Sequence, residues 1–112
     1  MPTLKINELL SVMANAAKTS LAEKWPGVGD LATSSFKALA QNIVDIEKMA
    51  SLPSPTITQE QAKLLINMQK NTIKMVLLSI EGVGLLAAEA AINAALDTIK
   101  AAVNKAIGFA IL

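Results

Sequence analysis

One long apolar stretch, residues 57–112, constrains this chain more than any other feature. It covers half of the sequence, and its apolar character is interrupted once, at Gly82-Val83-Gly84. Two glycines so close together cost a helix interior roughly 2 kcal/mol relative to alanine, and glycine is typical of helix ends and short turns. We therefore predict two long helices, 59–82 and 85–112, joined by a turn at Gly82 and Gly84.

Two further helices are predicted before this stretch. The first extends to about residue 24, with Thr3 as its N-cap. Residues 25–29 contain a proline and two glycines and indicate a turn, after which Asp30 is suited to cap a second helix. The apolar residues of this second helix follow the four-three spacing of a helical seam: Ala32, Phe36, Leu39, Ile43, Ile46 and Ala50.

The third helix has the clearest predicted start. Thr58 followed three residues later by Gln61 is the pattern of a capping box, so the helix should begin at about Gln59. Its lysines indicate the side of the helix that faces solvent. We assign its larger apolar residues to the buried side: Leu65, Met68, Met75, Val76, Ile80 and Val83.

These segments predict a single all-α domain spanning 1–112, an antiparallel helical bundle of three to four helices. Similar helix lengths and short connections favour antiparallel neighbours. The alternative is an elongated helical hairpin with one long kinked C-terminal helix, which would form if the chain stayed helical through Gly82 and Gly84.

Composition indicates that the chain has more apolar surface than it can bury alone. It is 53% hydrophobic and 17% charged, whereas typical domains have about 45–50% and about 25%. A domain of this size buries only about two-thirds of the surface of its unfolded chain. We therefore expect a partner to cover the remainder, and the first choice is a second copy, which makes the protein a homo-oligomer.

The last predicted helix, rich in alanine, is where this surplus is concentrated. Its polar residues form one narrow polar stripe: Glu89, Asn93, Asp97, Lys100 and Asn104. We expect it to bury most of its circumference, and we expect residues 109–112 to dock, preferentially on a neighbouring molecule. The interface candidates are Trp25, Ala87, Ala91, Ala94, Ala102, Phe109, Ile111 and Leu112.

Residue types missing from the chain exclude several functions. There is no histidine or cysteine, which removes thiol chemistry, His-based proton transfer and the usual zinc ligands. There is also no arginine, and only three aromatic residues are present, so nucleic acid is not an expected partner. We predict no catalytic, cofactor-binding or metal site and no small-molecule substrate.

The expected function is that of a non-enzymatic, self-associating structural or interaction protein, a subunit of an oligomer, filament or shell. The alternative is a membrane-active or pore-forming protein that inserts helices 59–82 and 85–112 as a hairpin, with the polar stripe lining a wet lumen. A membrane is the second-choice partner. The N-terminus lacks a signal-peptide pattern, so we expect a cytoplasmic location, with dedicated export or membrane association left open.

Overall fold

Four helices account for most of the chain in the structure, a computed structural model that describes residues 4–54, 56–80 and 82–112, with 27 and 28 by their backbone alone. The helices are α1 (Ile6–Leu21), α2 (Trp25–Ala50), α3 (Gln59–Leu78) and α4 (Leu85–Ile107), and a short 3₁₀ turn, Ala22–Lys24, joins the first two. Within those ranges there is no strand. The predicted all-α class is confirmed.

The helices form an antiparallel bundle in which sequence neighbours pack side by side. α1 packs most extensively on α4 and also on α2, whereas α1 and α3 are not in contact anywhere in the described chain. Two hydrogen bonds fix the directions. Lys24 Nζ donates to the Gly82 carbonyl at one end, and Gln59 Nε2 donates to the Ala110 carbonyl at the other. The ends of α1 and α3 therefore lie together, as an up-down-up-down bundle requires.

The first connection lies earlier in the chain than predicted. α1 ends at Leu21, the chain reverses at Ala22, whose φ is 51°, and α2 already includes residues 25–29. Asp30 is therefore inside α2 and is not its N-cap. Pro26 occupies the first turn of the helix, where a backbone N–H has no intrahelical partner, so proline starts this helix and does not stop it.

The later connections match the sequence. Thr58 Oγ1 accepts from Gln61 N at 3.1 Å, and Gln61 Oε1 accepts from Thr58 N at 2.9 Å, which is the predicted capping box. The chain also breaks where the glycines are. Gly82 has a φ of 89°, which favours glycine because a side chain there would be strained, and Gly84 is the N-cap of α4. The predicted Thr3 cap lies outside the described residues.

A continuous core occupies the inner sides of the four helices. α1 contributes Leu9, Met13, Ala17 and Leu21, and the predicted seam of α2 is buried from Ala32 to Ile46, with Ala50 half-buried. The buried side of α3 differs in part from the prediction: Leu65, Met68 and Met75 are exposed, whereas Val76 and Ile80 are half-buried and Val83 is buried just beyond the helix. The residues of α3 that lie in the core are Ala62, Ile66, Ile73 and Leu77.

Within the chain, α4 buries one side only, so the expectation that it hides most of its circumference is not met. Its buried residues include Ala88, Ala91 and Ala95, which face the bundle, whereas Ala90 and Ala101 are exposed beside the polar stripe. Leaving a single methyl group in water costs little, because burying one CH₂ group stabilises a protein by only about 0.8 kcal/mol. Alanine raised the apolar count of α4 without requiring burial.

Candidate interaction surface

The small residues predicted as an interface on α4 are divided between its two sides. Ala91 is in the core, Ala87 and Ala94 are half-buried, and Ala102 is exposed at the edge of a shallow groove between α1 and α4. Small side chains allow two helices to approach closely. Here the helix that approaches α4 is largely α1 of the same chain, which is the main neighbour of α4.

Residues 109–112 dock on the chain's own bundle. Asn104 Oδ1 accepts hydrogen bonds from the backbone N of Ile111 at 2.9 Å and of Leu112 at 3.2 Å. The Ile111 side chain is buried, and Phe109 and Leu112 pack against the core half-buried. The preference for docking on a neighbour is therefore corrected. Asn104, predicted as the last member of the polar stripe, instead holds this segment in place.

The rest of the polar stripe lies on the surface. Asp97 and Lys100 are exposed, and Glu89 and Asn93 line a polar groove between α3 and α4. The groove has a volume of about 430 Å³, and Lys70 and Lys74 are on its other wall. Amides and charges of both signs line it, and the described residues contain no group of three potential metal-ligating side chains. The described lining of this groove contains a single carboxylate, that of Glu89, and no hydroxyl or thiol side chain.

Trp25 is placed at the start of α2 and packs half-buried against the core. Gly29 makes room for its ring, since a Cβ at residue 29 would be 3.1 Å from Trp25 Nε1. Contacts at 3.0–3.4 Å are tighter than most real Cβ contacts. The indole therefore closes this end of its own bundle.

Half of the large apolar side chains that are exposed in the described residues lie on α3, a surface that the sequence analysis did not identify. Four side chains form a line here called the α3 stripe: Leu64 (60% exposed), Met68 (57%), Met75 (71%) and Leu78 (40%). At 100° per residue, their mean direction is opposite to that of the residues of α3 in the core. Helix α3 is thus apolar on two opposite sides.

Further apolar groups extend this surface toward both ends of the bundle. Across the Gly82 turn, Leu86 is 83% exposed and Leu85 is also exposed. Near the start of α3, Leu64 and Leu65 line an apolar depression of about 320 Å³ together with Met49. Exposed apolar residues are ordinary when scattered, whereas several of them aligned on one side of a helix form a candidate interaction surface.

One buried charged residue was also missed. Glu47, at the end of α2, is 1% exposed, and its Oε1 accepts a hydrogen bond from the backbone N of Leu4 at 2.9 Å. This carboxylate satisfies a backbone donor just before α1, where negative charge is favoured by the helix dipole. The sequence held one signal, because Glu47 follows Ile43 by four residues and therefore lies on the core side of α2. Its role is to position the start of α1.

No protein family, curated protein or solved structure matches this chain. Among the described helices, none is both long enough and apolar enough to cross a membrane.

Proposed function

We propose that this protein is a non-enzymatic helical subunit that works by self-association through the α3 stripe. The observation that carries the proposal is the alignment of four large apolar side chains, 40–71% exposed, on the outer side of one helix. The homo-oligomer is the one expected from the sequence, but the interface proposed here is on α3 and not on α4 and residues 109–112.

The energy available from this surface suits reversible association. Burying a Leu or Met side chain fully is worth about 1.5–3 kcal/mol, so the exposed parts of the four residues are worth about 1 kcal/mol each. Two copies together gain on the order of 8 kcal/mol. Association costs about 4–15 kcal/mol in lost freedom, so we expect a weak assembly that depends on concentration.

The chemistry of the remaining surface supports a role without catalysis. The chain has no histidine or cysteine, and the polar groove between α3 and α4 presents lysines, amides and one glutamate at its surface. None of these is held beside a nucleophile in a buried site. The proposal accordingly assigns no substrate and no cofactor.

The test is the mass of the protein in solution, measured by size-exclusion chromatography with light scattering over a wide concentration range. The expected result is a mass that rises above 11.7 kDa with concentration. Met75→Lys should prevent the rise, because it places a charge in the α3 stripe. Ala90→Lys, at an exposed position on the outer side of α4, is the matched control and should leave the rise intact.

Each outcome decides between the interfaces. A monomer at all concentrations would contradict the proposal. Loss of association in Ala90→Lys but not in Met75→Lys would return the interface to α4. Binding of the wild-type protein to anionic vesicles, without self-association in their absence, would support action on a lipid surface.

A further inference from the structure

We propose that the occupant of the α3 stripe is α3 of a second copy, arranged parallel and in register about a two-fold axis, with Asn71 paired to Asn71 of that copy. This inference rests on the proposed function and specifies its interface.

The spacing of the exposed residues is that of a two-helix seam. Asn71 lies in the middle of the α3 stripe, so Leu64, Met68, Asn71, Met75 and Leu78 follow one another in steps of four, three, four and three residues. Alternating steps of this kind keep side chains facing one partner helix. All five positions are exposed, and they extend for about 21 Å along α3 at 1.5 Å per residue.

Asn71 determines the orientation of the pair. In a parallel, in-register pair each seam residue meets its own counterpart, so leucine meets leucine and the two Asn71 amides can hydrogen-bond to each other. In an antiparallel pair the two kinds of seam position alternate, and Asn71 would face Met68 or Met75. A buried amide without a partner costs about 1–3 kcal/mol, which is a large part of the energy this surface offers.

The charges beside the seam favour the same orientation. Lys63, Lys70 and Lys74 all lie on the flank of α3 toward α4, and the opposite flank carries Leu65 and Thr72. A parallel two-fold pair brings the lysine flank of one copy beside the uncharged flank of the other. An antiparallel pair would bring the two lysine flanks together, and like charges facing each other are unfavourable.

A second copy also suits this surface better than a lipid bilayer. The lysine flank would attract anionic lipid, but insertion of the α3 stripe would take Asn71 into an apolar medium without a partner. The size of the surface suits a weak dimer. With Leu65, Thr72, Leu85 and Leu86 added to the five seam residues, each copy offers nine residues, whereas standard stable interfaces use about 20–30 per side.

Cysteine cross-linking tests the arrangement cleanly because the natural chain has no cysteine. Leu64→Cys and Leu78→Cys are made separately, with Ala101→Cys on the outer side of α4 as the control. A disulfide needs Cβ atoms about 3.5–4.5 Å apart. The expected result is that each stripe variant links to itself under mild oxidation at a rate at least tenfold above that of Ala101→Cys.

The measurement also separates the other arrangements. An antiparallel pair in which Asn71 faces Met68 or Met75 would keep the two copies of residue 64 more than about 15 Å apart and would bring residue 64 of one copy within about one helical turn of residue 78 of the other. Leu64→Cys would then link only when mixed with Leu78→Cys, and the parallel register would be overturned. An oligomer in which neither variant links, alone or mixed, would leave self-association standing and overturn the α3 pairing.

Two further variants test the energetics. Met75→Lys should raise the dimer dissociation constant at least about a hundredfold, since it buries two unpaired charges in the seam. Met75 is highly exposed, so this variant should keep the helical circular dichroism of the wild type. Asn71→Leu should tighten association but permit larger or out-of-register assemblies. A monomeric wild type would overturn both proposals, and Asn71→Leu that remains a discrete dimer of unchanged affinity would overturn the pairing of Asn71.

Discussion

The 109–112 segment provides the sharpest test of how this chain distributes its stability. Ile111 and Ile73 are both buried, and replacing a buried isoleucine by alanine in a rigid core costs about 2–5 kcal/mol. The two sites differ in how they are held. Ile73 is inside α3, whereas Ile111 follows the end of α4 and can leave its site without unfolding a helix.

The free energy of docking limits what Ile111→Ala can cost. Burial of Ile111 is worth about 2.5 kcal/mol and the half-buried Phe109 and Leu112 together about 2.5 kcal/mol. The two hydrogen bonds to Asn104 add about 1 kcal/mol each. Ordering four residues costs about 1.5 kcal/mol apiece, which leaves a net docking energy of about 1 kcal/mol. A substitution within the segment cannot cost more than that net energy.

We therefore expect Ile111→Ala to lower the free energy of unfolding by about 1 kcal/mol and Ile73→Ala by at least about 2 kcal/mol. Urea unfolding followed by far-ultraviolet circular dichroism gives both values, and similar slopes with denaturant would show that both variants unfold the same bundle. Equal losses of about 3 kcal/mol or more in the two variants would show that residues 109–112 are an integral part of the core, and the reasoning would fail.

Three other predictions concern the ends of helices. Thr58→Ala should lower the free energy of unfolding by about 1 kcal/mol through loss of the capping box, and a neutral result in urea would contradict the assigned cap. Gly82→Ala should destabilise by about 1–2 kcal/mol because its φ is 89°, whereas Gly84→Ser should stabilise by about 0.5 kcal/mol as a better N-cap. In thermal unfolding, the midpoint temperature of Gly82→Ala should therefore fall below that of the wild type, and that of Gly84→Ser should rise above it. Glu47→Ala should lower the free energy of unfolding by at least about 2 kcal/mol. Glu47→Gln keeps an acceptor for Leu4 N and should lower the free energy of unfolding by less in the same assay.

The parts of the fold that sequence predicted are those with a local cause. The capping box at Thr58 needs only two side chains three residues apart, and the break at Gly82 follows from the backbone freedom of glycine. The seam of α2 was also recognisable, because its outward positions are largely polar and only one side could be buried. The start of α2 was misplaced because a proline followed by two glycines fits both a turn and the first turn of a helix.

Helix α3 could not be oriented from sequence because it is apolar on two sides. Ile66 and Ile73 define one side, Met68 and Met75 the other, and both sets satisfy helical periodicity. Tertiary packing decides between the two sides, since the β-branched isoleucines of the first set pack toward α2 and α4. The methionines were assigned to the core on spacing alone, and the same spacing makes them a line on the outside.

The apolar surplus inferred from composition does exist, but the sequence located it on the wrong helix. Ten large apolar side chains are exposed in the described ranges; five of them are on α3 and two at the start of α4. Alanine and leucine count equally as hydrophobic residues, although a leucine side chain left in water costs far more than a methyl group. Hydrophobic residues weighted by side-chain area predict the apolar surplus on the Leu64–Leu78 side of α3 and not on α4. That surface remains without a partner inside the chain, and covering it is what self-association would accomplish.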